Sequence, residues 1–252
     1  MVACDLDGVV YIDGSAIPGA GRGLTELRAS GRRVVFVTNN ATKTPGSVAE
    51  TVERLTGFEV GTADIVTSAL VTAHELQGLA QNVMVIGAQT LTDTFIGAGF
   101  DVVENRRTAD AVVVGLHPGL TYDILAEAAL AIRGGALFYA TNTDGSYPTA
   151  DGLKPGGGAI VAALVAATGV QPVVCGKPHR PVCQVLRSMA GSGEVLVVGD
   201  RLETDIALGK AEAWLTALVL SGVTSPGDPI PSGLGPDIIV DSLADLPGLL
   251  AG

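Results

Sequence analysis

At 252 residues the chain is long enough to bury a full core and to hold one large domain or two modest ones. Its formal charge of −11, from Lys+Arg 15 against Asp+Glu 26, opposes binding to nucleic-acid backbones and anionic lipid surfaces, which both call for basic patches. Cys4, Cys175 and Cys183 are an odd number without paired spacing and fit the reduced, packed thiols of a cytoplasmic protein better than a disulfide framework. No basic-then-apolar leader is visible. The longest Gly/Ala-rich apolar stretch, AIVAALVAATGV at 159–170, is shorter than the roughly 20 residues of a spanning helix, so a soluble, cytoplasmic chain is expected.

In chain order, short β-branched runs alternate with helical patterns. VACDLD at 2–7 opens as a strand, the turn PGAG at 18–21 follows, and LTELRAS at 24–30 reads as a helix closed by Gly31. With the strand RRVVFVTNN at 32–40 this makes a β-α-β unit, whose right-handed crossover puts both strand carboxyl ends on one edge of a parallel sheet. Helices around SVAETVERLTG (47–57) and ALVTAHELQGLA (69–80) continue the pattern to about residue 77. A fresh series then begins. It runs strand VMVIG, helix TLTDTFIGAG, strands FDVVE and DAVVVGL, helix YDILAEAALAIRGG, strand LFYATN, a polar loop, and helix GGAIVAALVAATG. Strand character resumes with QPVVCGKP at 171–178, and PVCQVLRSMA, EVLVVGDRLETD, TALVLSG and PDIIVDS complete the first series. The simplest organisation is one discontinuous α/β core, 1–77 plus 173–252, carrying an insertion at 78–172 that folds around its own small sheet. PGDPIPSGLGP at 226–236 reads as a surface loop.

Polar residues gather at four strand ends: Asp5 and Asp7, then Thr38 with Asn39 and Asn40, then Lys177, then Asp200 with Asp205. Ligands of open parallel sheets bind outside the strand carboxyl ends, where these clusters can converge. At i, i+2 on a strand, Asp5 and Asp7 project to one side, and like charges that close call for a cation between them. Asp200, directly after LVVG, can meet them around a divalent ion, and hard oxygen ligands suit Mg²⁺. Together with Lys177 that ion would neutralise a tetrahedral dianion, while Thr38 and Asn39 donate hydrogen bonds to it. One aspartate of the pair is then the nucleophile on phosphorus, and the other, its pKa raised, acts as acid and then as base.

The series DLDGVVY, VTNN, GKP and GDRLETD resembles the haloacid dehalogenase-like hydrolases, in the capped branch of NagD-like, p-nitrophenyl phosphatase and phosphoglycolate phosphatase proteins. The likeness extends to IPGA, to TNTD and PGGGAI in the insertion, and to LVLSGVTSP, and so spans nearly the whole chain. It implies a Rossmann-like core with an inserted α/β cap. It also implies Asp5 as nucleophile, Asp7 as acid/base, Thr38 and Asn39 as phosphate binders and Lys177 as charge neutraliser. Mg²⁺ would be held by Asp5, the Asp7 backbone carbonyl and Asp200, with Asp205 supporting the metal site. One departure is Ala213 in GKAEAW, where the family commonly has a glycine turn.

The expected activity is Mg²⁺-dependent hydrolysis of small phosphorylated metabolites, of the phosphoglycolate, glycerol phosphate or sugar phosphate class, through a phospho-aspartate. The partner is a small-molecule phosphoester, with homodimer formation left open. Specificity is expected in the cap, where TNTDGSYPTADG at 141–152 should be a loop offering Asp144 and Tyr147 to the leaving group. A receiver-like phosphorylated signalling module and an idle sugar-phosphate binder are the alternatives. A receiver has no need of the second aspartate of DLD or of a cap, and an idle binder would lack the chemical residues present here.

Overall fold

In a computed structural model, residues 1–149 and 151–250 are described, and they fall into two compact units. The first comprises Met1–Thr38, Pro45–Val66 and Cys183–Gly252. Its six-stranded sheet runs, edge to edge, Ile238–Val240, Leu215–Val219, Leu196–Gly199, Val2–Cys4, Val34–Thr38 and Ile65–Thr67. The pairing of Val2–Cys4 with both neighbours is parallel, and so is that of the next two strands outward. Because helices cover such sheets on both faces, the central strands are uninterrupted apolar runs: VAC, VVFVT and LVVG are buried at every position. Helix Ala20–Ala29 turns Ala20, Leu24 and Leu27 to the core, and Pro45–Thr56 turns Val48 and Val52, which is the three-to-four spacing expected of one buried face. Backbones also approach closely here. A Cβ on Gly23 would lie 2.6 Å from the Leu243 carbonyl, so that face of the first helix tolerates no side chain.

The second unit comprises Asn39–Thr44 and Thr67–Val182. Its parallel sheet has the order Val173–Val174, Leu137–Ala140, Ala111–Val114, Asn82–Ile86, Asp101–Val102. Val112, Val114, Ala128, Ile132, Phe138, Ile160 and Leu164 form its own core, which lets the insertion bury its apolar faces without borrowing from the first sheet. Its extent, Thr67–Val182, is wider than the 78–172 expected from the sequence, because helix Ser68–Leu76 and strand Val173–Val174 group with it. That strand pairs with Leu137–Ala140 in the second sheet, not in the first. Two residues at a sheet edge carry too little pattern to announce their partner.

The stretch expected as a loop at 141–152 is only partly one. Thr141–Gly145 is irregular, and Ser146–Thr149 then pairs antiparallel with Gly152–Pro155 in a hairpin. The turn formers of this stretch had masked the β-prone pair Tyr147 and Thr149. Among the described residues no helix is long and apolar enough to cross a membrane.

Candidate active site

Three of the four expected clusters end strands of the first sheet. Asp5 follows Val2–Cys4 and its N–H still joins the ladder, donating to Val198 at 2.8 Å. Thr38 is the last residue of Val34–Thr38, and Asp200 follows Leu196–Gly199. The fourth, Lys177, follows the edge strand of the second sheet and is buried at 5 % exposure.

The strand stops at Cys4, so the alternation that would carry Asp5 and Asp7 to one face no longer applies to them. The chain instead winds tightly, with the N–H groups of Val9, Val10 and Tyr11 all directed at the Leu6 carbonyl, and Gly8 at φ +88° making the turn. Asp5 is buried and Asp7 exposed. Both still act on the neighbouring phenol: burial first, then the charges of Asp7 and Asp5, raise the pKa of Tyr11 far above its ordinary value and keep it protonated.

Asp5, Asp200 and Asp205 each present a carboxylate oxygen, all within 4.8 Å of one another, at exposures of 9 %, 0 % and 1 %. Three buried carboxylates so close repel one another strongly unless a cation lies among them. The set fits a divalent ion: hard, anionic oxygen donors converge on one point from two neighbouring strand ends. The Asp7 carboxylate is not in the group.

Asp200 and Asp205 are held from behind. Asp200 Oδ2 accepts from the Val223 N–H at 2.6 Å, and its carbonyl accepts from the Thr224 N–H at 3.1 Å. Gly8 and Gly222 close on the same carboxylate, and a Cβ on either would overlap Oδ2. Ser221 Oγ donates to the Gly8 carbonyl at 2.8 Å and ties the two glycine segments together. Asp205 sits on a single π-turn, Leu202–Ile206, the kind of helical irregularity that often marks a functional site. Its Oδ2 accepts from the Arg201 N–H and from Thr204 Oγ1, and Gly199 leaves it room. Sequence reasoning assigned nothing to Ser221 and Gly222, although SGVT stood out as part of a motif; glycines beside a carboxylate carry no charge pattern to notice.

In the second unit, Asn39 hydrogen-bonds the backbone of Lys177 and, at 3.4 Å, the Asp144 carboxylate. Tyr147 lies half-buried on the hairpin opposite Lys154. Cys175, two residues before Lys177, is no rival nucleophile, because burial pushes its thiol up to about 12.

Residues 2–101 match the model of the haloacid dehalogenase-like hydrolases, and 174–246 match a second model of the same group. A D-glycerol 3-phosphate phosphatase of Mycobacterium tuberculosis is 40% identical over 230 residues, covering 90% of this chain and 64% of its own length. The chain therefore spans just under two thirds of that relative. An acid sugar phosphatase of Staphylococcus aureus is 37% identical over 228 residues, 89% of this chain and 87% of that protein. A glycerol phosphate phosphatase of Mycobacterium tuberculosis, solved in complex with magnesium, aligns at a TM-score of 0.89 and 38% identity over 97% of this chain and 76% of that one, and it has also been solved with calcium. A p-nitrophenyl phosphatase from Archaeoglobus fulgidus aligns at 0.93 and 32% identity, over 98% of each chain. The chain belongs to the haloacid dehalogenase-like hydrolases, within the type IIA branch of phosphoric monoester hydrolases that holds NagD and the p-nitrophenyl phosphatases. The glycerol phosphate phosphatase was solved with magnesium and with calcium, and in this chain three buried aspartates stand close enough together to hold an ion.

Proposed function

We propose that the chain is a Mg²⁺-dependent phosphatase of small phosphorylated metabolites that works through a phosphorylated Asp5. The observation that carries this reading is the buried triad of Asp5, Asp200 and Asp205 at the carboxyl ends of adjoining parallel strands. An ion there would be held by the triad with the Asp7 carbonyl and would supply charge neutralisation for the phosphoryl oxygens. Asp5 attacks phosphorus, forming an acyl phosphate as the bond to the leaving oxygen breaks. Asp7, exposed at the turn, donates a proton to that oxygen. The same carboxylate then takes a proton from water as the water attacks phosphorus, which releases inorganic phosphate and restores Asp5. The Thr38 hydroxyl and the Asn39 backbone N–H hold the phosphoryl oxygens, and Lys177 offsets their charge.

The inserted unit, 78–172 by sequence, supplies specificity through Asp144 and Tyr147. The relatives named D-glycerol 3-phosphate phosphatase and acid sugar phosphatase support a polyol or sugar phosphate ahead of phosphoglycolate. The test is phosphate release from a panel of phosphoesters with Mg²⁺ and with excess chelator. Continuous turnover with Mg²⁺ and none in chelator is expected. A single transient phosphorylation without turnover favours the receiver reading, and full activity in chelator removes the metal.

A further inference from the structure

Both polar atoms of the Asn39 side chain are engaged by one residue. Its Oδ1 accepts from the Lys177 backbone N–H at 2.7 Å, and its Nδ2 donates to the Lys177 carbonyl at 3.2 Å. The N–H can only donate and the C=O only accept, so a single orientation of the carboxamide satisfies the pair. The other hydrogen of Nδ2 is directed at Asp144, whose two carboxylate oxygens lie 3.4 and 3.5 Å away. Both amide hydrogens are thereby committed.

Asn39 is itself fixed from the other side. Its carbonyl accepts from Ser68 Oγ at 2.7 Å and from Asn142 Nδ2 at 2.8 Å, and both of those residues are buried. Asn142 is in turn oriented by the Asp144 N–H, which donates to its Oδ1 at 3.1 Å. Gly176 completes the arrangement. A Cβ there would fall 2.5 Å from Asn39 Oδ1 and 2.6 Å from the Thr141 carbonyl, so a glycine before Lys177 is what allows the carboxamide to reach the lysine's backbone.

We propose that Asn39 is the positioning residue for Lys177: its carboxamide clamps the lysine's N–H and C=O and sets where the ammonium-bearing side chain starts, while Ser68 and Asn142 hold Asn39. The inference rests on Lys177 being the phosphate-neutralising cation of the proposed phosphatase. It removes the Asn39 side chain from direct contact with phosphate, since its donors are spent elsewhere, and leaves the backbone N–H as that residue's contribution to the anion. A lysine is a point charge on a flexible stem, so a shift of its backbone is passed on to the charge. A misplacement on the order of 1 Å in a catalytic group costs about 100-fold in rate.

The experiment is a double-mutant cycle on hydrolysis of p-nitrophenyl phosphate with Mg²⁺, joined to hydrogen exchange at the Lys177 amide. Asn39→Ala is expected to lower kcat/KM by about 100-fold with Lys177 intact. On a Lys177→Met background it should cost no more than about twofold, because a residue acting through another loses its effect when the other is gone. The Lys177 amide should exchange faster in Asn39→Ala, and the half-saturating Mg²⁺ concentration should stay unchanged, because the aspartate triad is untouched. Equal losses on both backgrounds would mean that Asn39 meets phosphate by itself and would overturn the proposal, as would unaltered exchange at Lys177 in a folded variant. If circular dichroism shows Asn39→Ala to be unfolded, Asn39→Asp, which keeps the shape but cannot donate to the Lys177 carbonyl when ionised, takes its place in the cycle. If the wild-type chain hydrolyses no ester, the phosphatase reading fails, while exchange at Lys177 needs no substrate and still decides the clamp.

Discussion

Asp5 and Asp7 stand two residues apart in unlike surroundings, one buried within the carboxylate triad and the other exposed on a tight turn. Their substitutions should therefore differ in kind. With Asp5 as the proposed nucleophile and metal ligand, Asp5→Asn puts a poor version of both in its place, so turnover should vanish and Mg²⁺ affinity fall. Asp7→Asn should lower kcat by about 100-fold, the usual worth of general acid-base catalysis, with Mg²⁺ affinity by calorimetry unchanged. A collapse of metal binding in Asp7→Asn would contradict the assignment of its backbone alone to the ion. Gly222 gives a second prediction at this scale. A methyl group there would overlap Asp200 Oδ2, the atom that accepts from the Val223 N–H at 2.6 Å, so the carboxylate or its loop must move. Gly222→Ala should weaken Mg²⁺ binding by about 10-fold or more, as loss of support behind a metal ligand commonly does. Calorimetric titration of the folded variant checks it.

The helical segment after Asp200 ends under strain. Ala207–Ala211 is followed by Ala213 at φ +55°, and the Trp214 N–H reaches back to the Gly209 carbonyl at 2.9 Å. This is a helix end that places a left-handed residue just past its last turn, a position that favours glycine because a Cβ there crowds the backbone. The alanine adopts this turn at a cost. Ala213 is exposed, so its methyl group packs little in return. Ala213→Gly should stabilise the protein by about 1 kcal/mol, less the small entropic cost of glycine in the unfolded chain. The measurement is the urea midpoint, which should rise without a change in slope; a lower midpoint would show that the methyl group does pack.

For the molecule as a whole, the proposed reaction aspartates and the proposed specificity residues fall to different stretches of chain. The triad and Asp7 belong to the first compact unit, whereas Asp144 and Tyr147 belong to the second, which has its own sheet and core. A substitution on the hairpin should then alter substrate choice while sparing phosphorylation of Asp5. Tyr147→Ala is expected to change the ratio of kcat/KM between small and large phosphoesters several-fold, about the 10-fold scale of losing one apolar contact in a pocket. If every ester in the panel falls by one common factor, Tyr147 does not select the leaving group. The Asp144 carboxylate accepts from Asn39, and its N–H orients Asn142.

By itself the sequence determined the α/β class, the order of the longer strands and helices and the aspartates at strand ends, but neither the edge strand Ile65–Thr67 nor the hairpin of Ser146–Thr149 with Gly152–Pro155. Those features are local: period-two and period-3.6 apolar patterns, and polar residues at the close of apolar runs, are written in neighbouring positions. VVFVT, LVVG and DLD were legible for that reason. What needed the tertiary structure was every pairing across long stretches of chain. Strand Val173–Val174 joins Leu137–Ala140 because hydrogen-bond partners are chosen by packing, which a two-residue run does not encode. The parting of Asp5 from Asp7 follows from where the strand ends, and alternation along a strand cannot foretell its own end. The hold of Gly222 on Asp200 and of Asn39 on Lys177 joins positions 22 and 138 residues apart, and such contacts exist only once the backbones that carry them have met.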